Sequence, residues 1–170
     1  MNLIKYLAFA IILCHLFSCE KVAVSNNLED SYVEFYYPNS WPSNGYLTTI
    51  NYNFNGTKDL DTIMLDLRTR GLVPEKDAVV VLKQIKEQTL PTNYVHAVPS
   101  LHFIPFDDSQ LSKSYIIAKG MTEGKVPLIL KKDPLMIGKT IQLSIGVGES
   151  PDFKPGVINY SKIKVLVTTN

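Results

Sequence analysis

The sequence contains very little cysteine, and what it has lies in one short stretch near the N-terminus. Both cysteines of the 170-residue chain, Cys14 and Cys19, belong to the segment CHLFSCEK. Beyond this segment no thiol remains that could form a disulfide, build a thiolate metal site or act as a nucleophile. Residues 20–170 therefore belong to a class of protein that uses none of these three devices.

The sequence also lacks an excess of charge of either sign. It has 17 basic and 16 acidic side chains, and one of the basic ones is Lys5, close to the N-terminus. Binding to nucleic acid, or to a membrane through charge alone, usually requires a basic patch. We therefore expect no nucleic-acid partner.

Motifs for catalysis and phosphate binding are missing as well. The segment GVGES, residues 146–150, lacks the lysine and the strand-to-helix context of a phosphate loop. There is no Gly-x-Ser-x-Gly nucleophile elbow, and no two carboxylates stand out as a glycosidase pair. The sequence therefore predicts a protein that is not an enzyme and that needs no cofactor.

The one long apolar run begins after Lys5 and ends just before Ser18. It is shorter than the roughly 20 residues that cross a bilayer, and a short apolar core with a basic start is typical of a secretory signal. Its end, LFSC, resembles the bacterial lipobox, in which cleavage precedes a cysteine that receives diacylglycerol and palmitate. We predict a lipoprotein signal peptide over residues 1–18 and lipidation of Cys19. An ordinary signal peptide and a buried N-terminal helix are the alternatives.

The predicted lipidation implies a location for the protein and a division of the chain into a tether and a domain. Paired acyl chains hold a protein stably on a membrane, so we expect a lipid-anchored protein of the cell envelope, with the outer membrane favoured. Residues 19–31 are mostly polar and are interpreted as a tether. Residues 32–170 are enough for one compact domain with its own core.

Within that domain the apolar residues recur every second position, which is the period of a strand. In DTIMLDLRTRG, for example, Ile63, Leu65 and Leu67 share one face. Similar runs follow, and turn residues separate them at intervals of about 8 to 15 residues, a spacing typical of an antiparallel sandwich. The sequence predicts an all-β, immunoglobulin-like antiparallel β-sandwich of about eight strands. The predicted strands cover 32–37, 46–54, 61–71, 77–87, 100–106, 113–120, 125–132, 139–148 and 160–170.

Several segments together resemble a family of Bacteroidetes lipoproteins of unknown function. They are VEFYY, DTIMLDLRTRG, PEKDAVVVLK, LPTNYVHAVPSLHFIP and SPDFKPG, which span most of the domain in the family's order. Ala78 departs from the pattern, because the family usually has arginine there. The order of segments is also similar to that of Calx-beta domains, which implies an immunoglobulin-like sandwich.

The resemblance implies a role rather than a reaction. Family members accompany outer-membrane importers of the starch-utilisation type, composed of a TonB-dependent channel and a lid lipoprotein that captures substrate. The expected partners are therefore such an importer and a glycan or peptide ligand. The family has no established catalytic residue that could be transferred to this chain.

Acidic and histidine side chains are the possible metal ligands of this sequence. His96 and His102, near Asp107 and Asp108, do not have a zinc spacing, and we predict no metal site. Calcium requires six to eight oxygen ligands, usually with several carboxylates from one loop. The pairs at Asp107–Asp108 and at Asp59 with Asp61 are read as turn residues, and calcium binding is left open.

The feature with the clearest functional character is a concentration of aromatic residues between positions 36 and 54. Exposed aromatic rings stack on sugars or anchor protein partners. Trp41 stands between two prolines in a predicted loop, so it is the first candidate ligand-binding residue, with Tyr37 and Tyr46 beside it. The alternative is that these rings fill the core of the sandwich.

Two functions follow from these observations. The first is a non-catalytic accessory or ligand-binding lipoprotein that serves nutrient uptake. The second is a structural or adhesive surface protein that acts through an open strand edge or through contact with a host.

Overall fold

The computed structural model describes residues 30–55 and 57–169, and β-strands are the dominant regular structure in them. This confirms the predicted all-β sandwich. Helical structure in these residues is confined to two 3-10 turns, at Ser112–Ser114 and Pro134–Met136. Neither has the length or apolar character needed to cross a membrane. The strands are β1 (Tyr32–Phe35), β2 (Thr49–Phe54), β3 (Leu60–Arg70), β4 (Ala78–Val79), β5 (Val81–Ile85), β6 (Tyr94–His96), β7 (Ile116–Ile117), β8 (Glu123–Lys131), β9 (Thr140–Gly148), β10 (Lys154–Pro155) and β11 (Lys162–Thr169).

Two main sheets form the layers of the sandwich. The first has the strand order β10-β1-β3-β8, and the second has the order β2-β11-β9-β5, with β6 also pairing with β9. Strands β4 and β7 form a separate two-stranded ladder. Because β1 and β2 belong to different sheets, the chain between them crosses from one layer to the other.

Most pairings are antiparallel, as predicted, but three pairings among the described residues are parallel. β1 runs parallel to β10, β2 to β11 and β6 to β9. Parallel neighbours require a long connection rather than a hairpin, and these partners are far apart in sequence. The alternation of side chains that predicts a strand carries no information about the direction of its neighbour, so the sequence could not reveal these pairings.

The core lies between the two sheets and follows the predicted alternation. Leu65 of β3 lies opposite Val126 of β8. Leu67 and Leu128 belong to the same inner surface of the first sheet, and all four side chains are buried. Burial of each such side chain stabilises the fold by about 1.5–3 kcal/mol. In the second sheet the buried inner residues are Ile141, Leu143, Ile145 and Val147 of β9 and Ile163, Val165 and Val167 of β11.

One predicted strand is wrong and two short strands were missed. Residues 100–106 form no strand, and only Phe103 makes isolated bridges, to Pro99 and Leu130. Strand β6 lies between the predicted strands at 77–87 and 100–106, and β10 lies between those at 139–148 and 160–170. Strands of two or three residues show no alternation that could be recognised in a sequence.

Candidate functional site

The crossover from β1 to β2 is shaped by two tight turns, and Trp41 lies between them. At the first turn the Ser40 N–H donates to the Tyr37 carbonyl at 3.1 Å, and Asn39 has a φ of 65°. Proline followed by a residue of positive φ is the arrangement of a type II turn. These local features hold the backbone on the N-terminal side of Trp41.

The second turn is a miniature hairpin. Ser43 and Tyr46 exchange two backbone hydrogen bonds, of 2.8 and 3.0 Å. Between them Asn44 and Gly45 both have positive φ, at 50° and 79°. This Asn-Gly pair matches a type I′ turn, for which that dipeptide is strongly preferred. Trp41 is thus presented by a segment whose shape is determined locally on both sides.

Trp41 is exposed, with 82% of its surface open to solvent. It borders a groove of about 340 Å³ in which the loop meets the end of the first sheet. Tyr37, predicted with it, lines the same groove. The structure therefore brings two of the three predicted ligand-binding residues together. The other lining residues are Phe35, Tyr36, Pro38, Asn39, Ser40, Leu47, Arg68 and Tyr160.

Arg68 supplies the groove with a positive charge, and a buried glutamate holds that charge in place. Its Nε donates to Glu34 Oε1 at 2.7 Å, and Arg70 Nε donates to the same oxygen at 2.7 Å. The guanidinium of Arg68 lies 4.6 Å from the centre of the Tyr36 ring. Glu34 is fully buried, so this cluster fixes both the arginine and the tyrosine at the groove wall.

Tyr37 lines the groove and also packs against the core. Its ring is half-buried and packs against the core. Its hydroxyl is buried beside the backbone of Asp66. Burial raises the pKa of Tyr37 to about 12, so this hydroxyl stays protonated at neutral pH. Tyr37 therefore both lines the groove and connects it to the core.

Tyr46, the third predicted residue, lies at a different place, on the outer face of the second sheet. Its hydroxyl donates to Glu87 Oε1 at 2.9 Å, and its ring lies 4.6 Å from Lys164 Nζ. Gln142 and Ser144 donate to the same glutamate oxygen at 2.6 and 2.9 Å. We call these five residues the Glu87 cluster.

Within the Glu87 cluster the polar groups are hydrogen-bonded or ion-paired to one another. Burial alone would raise the pKa of Glu87, but the hydrogen bonds from Ser144, Tyr46 and Lys164 outweigh it and lower that pKa below its usual value. Burial is also the main cause that raises the pKa of the Tyr46 hydroxyl. The cluster therefore joins strands β9 and β11 to the segment after β5.

Several of the possible metal ligands have other partners. Among the described residues, no three His, Cys, Asp or Glu side chains are arranged to hold a metal ion. Buried His102 accepts a hydrogen bond from the Val98 N–H at Nδ1, and its Nε2 lies 3.1 Å from Asp133. Asp61 binds the Tyr52 hydroxyl.

The acidic pair at Asp107–Asp108 acts as a turn, as the sequence indicated. Asp108 accepts backbone hydrogen bonds from Leu111 and Gln110, both at 3.0 Å. These bonds lower the pKa of Asp108. His96 lies in β6, away from this turn in sequence.

Sequence reasoning did not single out Arg68, Tyr36 or Tyr160 as groove residues. Tyr36 belongs to the aromatic stretch and could have been chosen with Tyr37. Arg68 and Tyr160 come from distant parts of the chain, and no local signal marks them. Cys19, the signal peptide over 1–18 and most of the 19–31 tether lie outside the described residues, so they stay predictions.

No family model matches this chain, and no curated protein matches it either. Solved structures of Bacteroides proteins do match, several of them of unknown function. A Bacteroides ovatus protein of unknown function is 16% identical with a TM-score of 0.52, and the match covers 81% of this chain and 44% of that one. At this identity the similarity shows the fold alone.

Two further Bacteroides ovatus structures have lower scores. One, described as a candidate carbohydrate-binding protein, is 16% identical with a TM-score of 0.47, covering 81% of this chain and 36% of that one. The other, a multidomain protein including DUF1735, is 17% identical with a TM-score of 0.46, covering 81% and 44%. The chain spans less than half the length of these solved chains.

Proposed function

We propose that this chain is a non-catalytic ligand-binding module of the bacterial cell envelope, which binds a glycan in the groove beside Trp41. The observation that carries the proposal is the 82% exposure of an indole ring that two turns hold at the edge of a groove. An exposed aromatic side chain of this size has no role in the core. Its apolar face is suited to stack on a sugar ring.

The other groups around the groove suit the same ligand. Arg68 is an oriented donor, while Asn39 and Ser40 add amide and hydroxyl groups next to the indole. A few polar groups placed beside apolar ring surface give a ligand its orientation. A peptide with an aromatic or acidic side chain is the competing ligand, since the groove offers it the same ring and the same guanidinium.

A binding screen tests the proposal directly. The purified chain, Trp41→Ala and Leu135→Ala are compared on panels of glycans and peptides. Leu135 is a matched control because it is also 82% exposed and apolar but lies outside the groove. We expect glycan binding that is at least tenfold weaker in Trp41→Ala and unchanged in Leu135→Ala. Equal binding by all three proteins would contradict the proposal.

The envelope location and the importer partner complete the proposal. We infer that lipid on Cys19 holds the module at the outer membrane, beside a TonB-dependent channel and its lid lipoprotein. Mass spectrometry of the native protein should find an N-terminal acylated Cys19. An intact start methionine with a free thiol at Cys19 would disprove the anchor. Co-purification of the channel with the native protein, and its loss on Cys19→Ala, tests the partner.

A structural or adhesive role is the second candidate, and one observation favours it. Strand β2 forms one edge of the second sheet and pairs only with β11 among the described strands. An open edge can accept a strand from another protein. Specific binding of extended peptides that Trp41→Ala leaves unchanged would favour this role over glycan capture.

A further inference from the structure

The outer strands of the two sheets differ in how well they are protected against pairing. Strand β8 carries Lys125 and Pro127, and part of its outer side already bonds to the backbone of residues 102–104. Lysine and proline on an edge strand discourage the addition of another strand. Strand β10 has only two residues, and β5 carries Lys83. These three edges, and that of the three-residue β6, are therefore short or guarded.

Strand β2 has none of these protections. Its sequence, TINYNF, contains no charge and no proline over six residues. Three of its residues are strongly exposed, and they alternate with inward-facing ones. An uncharged strand of this length at an open edge is a template for pairing.

The register with β11 shows which backbone groups of β2 point outward. The Lys164 N–H donates to the Thr48 carbonyl at 3.1 Å, and Lys164 is in register with Thr49. Because successive residues of a strand direct their backbone groups to opposite sides, the residues at 48, 50, 52 and 54 face β11. Thr49, Asn51 and Asn53 therefore present their N–H and C=O groups to the open edge, where no described residue bonds to them.

We propose that a second copy of this chain pairs through β2, antiparallel and centred on Asn51. In this register Asn51 faces its own counterpart, and Thr49 faces Asn53 on both sides of the twofold axis. Residues that face each other in such pairs exchange both backbone hydrogen bonds, so all six outward-pointing groups of each strand are satisfied. The two copies then share one continuous sheet.

Two features favour a second copy over an unrelated strand. The outward backbone groups are evenly spaced on both sides of Asn51, so this edge can pair with itself, as a twofold interface requires. No charged side chain lies within β2, so pairing the strand with itself brings no like charges together. On the inner face the pairing places Ile50 opposite Tyr52, which adds an aliphatic–aromatic pair. This inference does not depend on the groove or its ligand.

Sedimentation velocity of the purified full chain over a range of concentrations tests the interface. We expect a monomer–dimer equilibrium, and Asn51→Lys should weaken it at least tenfold because two lysines would face each other at the axis. Asn159→Lys is the matched control, since Asn159 is exposed in a turn outside β2. A chain that stays monomeric throughout, or an Asn51→Lys variant that dimerises as the unsubstituted chain does, would overturn the proposal.

Cysteine trapping tests the register itself. Facing residues in the hydrogen-bonded pairs have Cα atoms about 5.5 Å apart, within reach of a disulfide. Asn51→Cys should therefore cross-link to itself, above the level of the unsubstituted chain. Thr49→Cys and Asn53→Cys should cross-link when mixed and not alone. Cross-linking of Asn53→Cys alone to the same extent as the mixture would exclude this register.

Discussion

The aromatic stretch from position 36 to 54 has two halves with opposite environments. In the loop half, Trp41 is exposed beside the groove. In the strand half, the rings of Tyr52 and Phe54 meet edge to face, with centroids 5.0 Å apart, and Phe54 is buried. Strand alternation directs the second pair inward, whereas two tight turns hold the first ring outward. Backbone context, rather than aromatic content, decides which rings are available to a ligand.

We expect the largest loss of stability from a substitution in the buried half of the aromatic stretch. Phe54→Ala should lower the free energy of unfolding by about 3–5 kcal/mol, because it removes a packed ring and leaves a cavity. Urea denaturation measures this change. Phe54→Leu, which keeps most of the volume, should lose considerably less. A loss below about 1 kcal/mol for Phe54→Ala would mean that the strand half does not belong to the core.

A substitution at Glu34, which holds Arg68 at the groove, should cause the next largest loss of stability. Glu34→Gln removes the charge that binds both Arg68 and Arg70, and hydrogen bonds to charged groups contribute about 1.5–3 kcal/mol each. Because both arginines reach solvent, we expect a total loss of about 2 kcal/mol, measured by urea denaturation. Glu75→Gln, at an exposed position, is the control and should have no measurable effect.

The Glu87 cluster should make a smaller, pH-dependent contribution. The folded-state pKa of Glu87 is lowered from the ordinary value of 4.5. A group with a lowered pKa stabilises the fold above its unfolded-state value and loses this contribution as pH falls through the folded-state value. Melting temperatures should therefore show a stability advantage of the unsubstituted chain over Glu87→Gln at pH 7 that shrinks as the pH falls below 4.5. A constant difference would contradict this role.

The smallest change in stability is expected at the exposed half. Trp41→Ala should alter the free energy of unfolding by no more than about 0.5 kcal/mol, because surface substitutions rarely do more. Thermal denaturation against Leu135→Ala provides the check. A loss of 2 kcal/mol or so would show that the indole packs like a core residue.

Much of the fold could be predicted because it is encoded locally. The alternation in β3 placed Ile63, Leu65 and Leu67 on one face, and the structure buries Leu65 and Leu67 and packs Ile63 against the core. The parallel pairing of β2 with β11 could not be predicted, because it joins segments more than a hundred residues apart. Strand β6 was missed since three residues between prolines show no period.

The candidate site likewise has residues that the sequence could predict and residues that it could not. Trp41 could be chosen from the sequence because turn residues flank it on both sides. The separation of Tyr46 from Trp41 could not, because the position of Tyr46 depends on Glu87, 41 residues later in the chain. Arg68 was missed for a similar reason, since the buried carboxylate that orients it, Glu34, lies in another strand.

The most direct test uses the fact that Trp41 is the chain's single tryptophan. Its fluorescence reports on the groove alone, and a glycan found in the binding screen can be titrated against it. We predict a red-shifted emission typical of an exposed indole in the free protein, and a saturable blue shift as the sugar covers the ring. Emission that stays unchanged while independent calorimetry shows the glycan bound would contradict the claim that this groove is the binding site.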